Sequence, residues 1–112
     1  MPVRGVLDIG IIGYGTAGQA AALFLARAGH RLHIFERAPS LGPVGAGVLL
    51  QPTGLAVLAE LGLLDRALSC GARIERLVGH NLAGRAVMDM RYAQLDPQWF
   101  GLGLQRGALF EL

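Results

Sequence analysis

Lysine does not occur in this sequence, so the ten basic side chains are all arginines, set against eight acids for a formal charge of +2. The arginines are scattered rather than clustered, and the basic stripe that nucleic-acid binding needs is missing. The pI near 9.3 reflects a small arginine excess, not a polyanion-binding patch. Cysteine is almost as scarce. Cys70 stands alone, which excludes an internal disulfide or a thiolate metal cluster, fits a reducing, cytoplasmic compartment, and reads as a small packing residue beside Gly71 rather than a nucleophile. Long apolar runs are missing too, since none approaches the roughly 18 residues of a membrane span. Arg4 ahead of an apolar stretch and Ala26-Arg27-Ala28 faintly imitate a secretion signal, but Asp8 and the glycines that follow argue against one. With 53% hydrophobic and 16% charged residues, the chain fits one globular domain at most.

What the chain has in quantity is glycine, 17 in all, and three of them form a pattern. Val6 to Ile12 reads as a buried strand running straight into Gly13-Tyr14-Gly15-Thr16-Ala17-Gly18, and Glu36 stands 18 residues beyond Gly18. Gly13 permits the tight turn out of the strand, Gly15 lets bare backbone approach a pyrophosphate, and Gly18 lets the next helix lie close to the sheet. That helix, from about Thr16 to Ala28, turns unpaired N–H groups and the positive end of its dipole toward phosphates, worth about 0.3 to 2 kcal/mol. Ala22 and Leu25 fall on its sheet-facing stripe, and Gly29 ends it. Arg31 to Glu36 is the second strand, closing a βαβ unit on a carboxylate placed to grip a ribose and to repel a 2′-phosphate. NADP is a poor occupant of such a site, while NAD remains chemically acceptable.

Beyond Glu36 the simple alternation stops. Arg37 to Gly47 reads as a loop, punctuated by Pro39, Gly42, Pro43 and Gly45. Pro52 to Leu61 reads as a helix with Leu55, Leu58, Ala59 and Leu61 or Leu63 on its apolar face, and a short helical turn follows from Leu63 to Ser69 with Asp65 and Arg66 in solvent. Arg73 to His80 and Ala86 to Tyr92 form an antiparallel hairpin across Ala83-Gly84, and Arg106 to Leu112 turns helical again. Glycines near a flat ring leave it room to approach backbone, so Ala46, Gly47 and Val48 are candidates for cofactor contact as well as for an ordinary turn. His30, His33 and His80 do not have the arrangement of a metal site and read as surface or interface residues; Asp89 and Asp96 carry no assigned role.

In this order the features resemble the single-component FAD-dependent monooxygenases typified by aromatic hydroxylases. The resemblance rests on Gly13-x-Gly15-x-x-Gly18, Glu36-Arg37, Gly45-Ala46-Gly47-Val48 with Pro52, Leu61-Gly62-Leu63, and Arg106-x-x-Leu109-x-x-Leu112. It implies a Rossmann-like α/β fold of the FAD/NAD(P)-binding type with an antiparallel hairpin insertion and an incomplete sheet. It implies bound FAD, held at Gly13, Gly15, Thr16, Ala17 and Gly18, with Glu36 on the adenosine ribose. By the same likeness Arg37 lies along the adenine, Ala46 to Val48 pass the flavin, and Arg106 reaches the pyrophosphate and ribityl region. The implied reaction takes NAD(P)H as a transient co-substrate and O2 as oxidant, passing one oxygen atom to a small, aromatic or hydrophobic substrate. The cofactor performs that chemistry, so no catalytic acid, base or nucleophile is assigned here.

Tyr14 stands where the family more often has a small residue, and Thr16 is shared with flavin-dependent halogenases. The family's later Asp-Gly and Gly-Asp segments do not occur, nor does its substrate domain. Residues 1–112 are therefore read as the N-terminal part of an FAD-binding domain, inactive alone and marginally stable. Two alternatives stand beside this reading: a halogenase, reductase or oxidase of the same fold, and a truncated, noncatalytic nucleotide-binding fragment. Homo-oligomerisation is left open.

Overall fold

The structure, a computed structural model, describes residues 5–112, so Arg4 falls outside it. The chain divides into two compact units, Met1–Gly42 and Pro43–Leu112.

In the first unit, β1 (Asp8–Ile12) and β2 (Arg31–Phe35) are parallel neighbours, paired from Asp8 against Arg31 to Ile12 against Phe35. Parallel strands need a crossover, and α1 (Thr16–Arg27) supplies it. Its alanine- and leucine-rich run favours helix. It closes on Gly29 at φ 86°, where the His30 and Gly29 amides donate to the Leu25 and Ala26 carbonyls at 3.1 and 2.9 Å in a Schellman arrangement. Ala22 and Leu25 are half-buried on the helix's inner stripe. The expected burial of the first strand is not found: Ile12 is 92% exposed and Val6 60%. A parallel sheet is buried only when helices cover both faces, and the described residues of this unit form two strands and one helix. Asp8 and Arg31, opposite each other in the register, instead make a two-pronged ion pair at 2.7 and 2.8 Å, which holds the Asp8 carboxyl below the usual range.

The second unit is built on an antiparallel sheet of order β3-β7-β4, formed by β3 (Gly47–Leu50), β4 (Ala72–Ile74) and β7 (Gly101–Gln105). Leu102 and Leu104 of β7 are 1% and 4% exposed and pack with Leu55 and Leu58 of α2 (Pro52–Glu60) and Ala67 of α3 (Leu64–Cys70). On the opposite face of β7, Gly101 leaves room for Tyr92, whose hydroxyl donates to Gln51 Oε1 at 2.7 Å. The hairpin of β5 (Arg76–His80) and β6 (Ala86–Arg91) forms a separate two-stranded sheet, turned through Gly84 at φ 79° and tied by Arg76 to both oxygens of Asp89 at 2.7 Å. The helix α4 (Arg106–Phe110) follows β7, and Arg66 of α3 donates to the Glu111 carbonyl at its end at 3.1 Å.

Five readings of the sequence change in this unit. Gly47, read as the end of the loop, opens strand β3, and β7 was not foreseen. Arg73 to His80 is not one strand, because Glu75 separates β4, which joins the central sheet, from β5. Ala59 lies exposed, leaving the inner face of α2 to Leu55, Leu58 and Leu61. Cys70 is exposed rather than packed, its thiol toward the Arg66 and Ala67 carbonyls of its own helix.

Candidate functional site

The turn from β1 into α1 is fastened at both ends. Gly13 adopts φ 99°, a left-handed conformation suited to glycine, and its amide donates to the Phe35 carbonyl at 2.7 Å, joining the two strand ends. Gly18 lies directly beneath: a Cβ there would collide with the Gly13 carbonyl oxygen and stand 3.1 Å from the carbonyl carbon. Close approach of helix to turn therefore excludes any side chain at position 18.

Gly15 differs from both. Its φ of −74° is one that any residue adopts, and a Cβ there would meet nothing within 4 Å. The fold makes no demand for glycine at that point. Gln19 donates the first intrahelical bond, to the Gly15 carbonyl at 2.9 Å, so the amides of Thr16, Ala17 and Gly18 stand at an open helix end. No acidic side chain occupies the first turn to satisfy them.

Glu36 reaches this loop. Its Oε2 accepts the Tyr14 N–H at 2.6 Å and its Oε1 the Ala38 N–H at 2.8 Å. The Ala38 bond and then the Tyr14 bond hold the carboxyl below its ordinary pKa, so it is fully ionised at neutral pH. Two bonds leave lone pairs on both oxygens for further donors, such as the hydroxyls of a ribose. Arg37 is exposed, and its backbone N–H and its positive charge act on the Glu36 carboxyl in the same direction. The structure thus brings Gly13, Gly15, Thr16, Ala17, Gly18 and Glu36 together, with Arg37 adjacent in sequence.

The second unit assembles its own candidates. Gly47 and Val48 pair with Gln105 and Leu104 in the β3–β7 ladder, and the Arg106 amide donates to the Ala46 carbonyl at 3.2 Å. Gly45, at φ 91°, lies beneath the Arg106 side chain, since a Cβ there would stand 3.2 Å from Cδ and 3.3 Å from Nε. Ala46, Gly47, Val48 and Arg106 are therefore neighbours, and Arg106 is exposed with no ion pair among the described residues. An open depression of about 760 Å³ runs from Gly47 and Val48 past Cys70 to Gln105 and Ala108.

Three contacts of the first unit were not foreseen: the Tyr14 and Ala38 amides on Glu36, and Gln19 Nε2 on the Tyr14 carbonyl at 3.1 Å. The first two are backbone groups without any residue signature. The third had one, a long amide side chain one turn into the helix and just after the glycine loop. Of the histidines, His30 accepts the Leu7 N–H through Nδ1 at 3.3 Å. No cluster of three or more metal-ligating side chains occurs among the described residues.

Residues 6–105 match the model of a family described as the FAD binding domain. Over 67 residues the chain is 45% identical to 3-amino-4-hydroxybenzoate 2-monooxygenase of Streptomyces cremeus, covering 60% of this chain and 17% of that protein. Over 71 residues it is 41% identical to 3-hydroxybenzoate 6-hydroxylase 1 of Aquipseudomonas alcaligenes, covering 63% and 18%. The fold matches the crystal structure of p-nitrophenol 4-monooxygenase from Pseudomonas putida with a TM-score of 0.74 at 24% identity, over 97% of this chain and 28% of that one. The chain thus spans under a fifth of the length of these curated relatives.

Proposed function

This chain belongs to the FAD-binding domain family, and on that premise we propose that its first unit is a Rossmann-like βαβ site for the ADP half of FAD, serving a flavoprotein monooxygenase. Gly15 is the observation that carries the reading. A glycine whose conformation and surroundings would both accept a side chain is explained by something outside the protein that must lie against it. A pyrophosphate in that space would take hydrogen bonds from the open end of α1 and the favourable end of its dipole. Glu36, ionised and poised at the same turn, would accept the ribose hydroxyls and reject a 2′-phosphate.

Arg37 is assigned to the adenine side of the cofactor, Ala46 to Val48 to the flavin, and Arg106 to the pyrophosphate and ribityl region. Support for the last two is the seating of Arg106 over Gly45 and its backbone bond to Ala46. When bound, FAD would supply the redox chemistry that links NAD(P)H and O2, and these residues would bind and orient it. The relatives named for hydroxybenzoates support a small aromatic substrate. No helix among the described residues is long and apolar enough to cross a membrane.

The test is uptake of FAD by the purified chain, followed by gel filtration and a visible spectrum. Flavin absorption that travels with the protein, and is displaced by excess ADP, is the expected result. A colourless protein peak after incubation with FAD would overturn the proposal.

A further inference from the structure

We propose that Gln19 is a positioning residue that locks the Tyr14–Gly15 peptide plane so that the Gly15 N–H faces an incoming diphosphate. The proposal rests on the ADP-binding reading above and deepens it. Its starting point is the side-chain amide of Gln19, which donates through Nε2 to the Tyr14 carbonyl at 3.1 Å, while the Gln19 backbone N–H donates to the Gly15 carbonyl at 2.9 Å. One residue therefore holds two successive carbonyls of the glycine loop.

The geometry of a trans peptide turns that grip into a statement about direction. In a planar trans unit the C=O of one residue and the N–H of the next point opposite ways. With the Tyr14 carbonyl drawn to Gln19, the Gly15 N–H is directed away from it. The preceding peptide is fixed in the same manner from the other side: Glu36 Oε2 takes the Tyr14 N–H at 2.6 Å, and the Gly13 carbonyl lies against Gly18. The loop thus has two consecutive planes set by two side chains of opposite hydrogen-bonding character, one accepting and one donating. Loss of Gln19 would remove that hold on the second plane, and glycine at 15 accepts many conformations at little cost. A turned plane would present a carbonyl oxygen to the diphosphate in place of a donor.

The side chain is suited to this work. Only a donor can satisfy a carbonyl, so the amide nitrogen rather than its oxygen must face Tyr14. Leucine or methionine at this position would keep the helix and lose the grip.

The experiment is calorimetric titration of the chain and its Gln19→Met and Gln19→Glu variants with ADP, FAD and adenosine, with circular dichroism as the check on folding. Both substitutions keep the length of the side chain and a good helix propensity. ADP and FAD should bind about 3- to 10-fold more weakly to Gln19→Met, as expected for one lost neutral hydrogen bond, and more weakly still to Gln19→Glu, which sets an acceptor against an acceptor. Adenosine, which has no phosphate to meet the Gly15 N–H, should bind all three proteins alike. Unchanged ADP affinity in Gln19→Met would overturn the proposal. So would equal weakening of ADP and adenosine, or loss of helical dichroism, since either makes Gln19 a residue of the fold and not of the ligand. Failure of the unsubstituted chain to bind ADP or FAD would instead remove the nucleotide reading itself, and this inference with it.

Discussion

Gly15 and Gly18 are the same residue three positions apart, yet the fold demands glycine at only one of them. At Gly18 a Cβ would strike the Gly13 carbonyl, so Gly18→Ala should push α1 off the turn and lower stability by about 1 to 3 kcal/mol, as overpacking against backbone does. At Gly15 the conformation is ordinary and the space open. Gly15→Ala should leave the stability within about 1 kcal/mol, because a small gain from stiffening the unfolded chain offsets a weaker N-cap. The same substitution should weaken FAD binding about tenfold or more, by placing a methyl group where the diphosphate is to lie. Thermal melts and FAD titrations of the two variants separate these effects. At this scale the sequence was readable where spacing carries the meaning: three glycines and an acid 18 residues on define the turn before any coordinates. It was not readable where the partner is backbone. The Tyr14 and Ala38 amides that hold Glu36 belong to any residue type, so no letter of the sequence announces them.

Among the elements, β7 is the most buried strand of the second unit and the one the sequence disguises. Gly101-Leu102-Gly103-Leu104 alternates correctly, but glycine is a poor strand former and reads as loop. Its reason is packing from both sides: Leu102 and Leu104 enter the helix-facing core, while Gly101 admits Tyr92 on the other face. A Cβ at 101 would lie 2.9 Å from the Tyr92 hydroxyl and 3.0 Å from Leu49 Cδ1. Gly101→Ala should therefore destabilise the second unit by about 1 to 3 kcal/mol, seen as a lower denaturation midpoint with an unchanged m-value. The helices were legible because their ends are punctuated. Gly29 and Gly62 close α1 and α2, and Pro52 opens α2 at a position that needs no donor. The division of Arg73–His80 between two sheets was hidden because no turn residue marks Glu75.

For the whole molecule, the buried hydrophobic residues divide unevenly between the units. All seven, from Leu55 to Leu104, belong to the second unit, and none belongs to the described part of the first. Local stability follows buried apolar contact, so backbone amides of β1, α1 and β2 should exchange with solvent faster than those of β7 and α2. Ligand bound to the folded first unit adds stability by mass action, about 2.7 kcal/mol at a hundredfold excess over Kd. Hydrogen exchange followed by mass spectrometry should accordingly show α1 slowing on addition of FAD. Equal rates in the two units without ligand would contradict this account of where the core lies.

The central claim is that Glu36 and the turn it touches hold the adenosine diphosphate portion of FAD. Calorimetric titration of FAD into the chain and into its Glu36→Ala variant puts that claim to the test most directly. Affinity should fall by about 10- to 150-fold in the variant, the range for losing charge-assisted bonds to a ribose. Equal FAD affinity in the two proteins would contradict it.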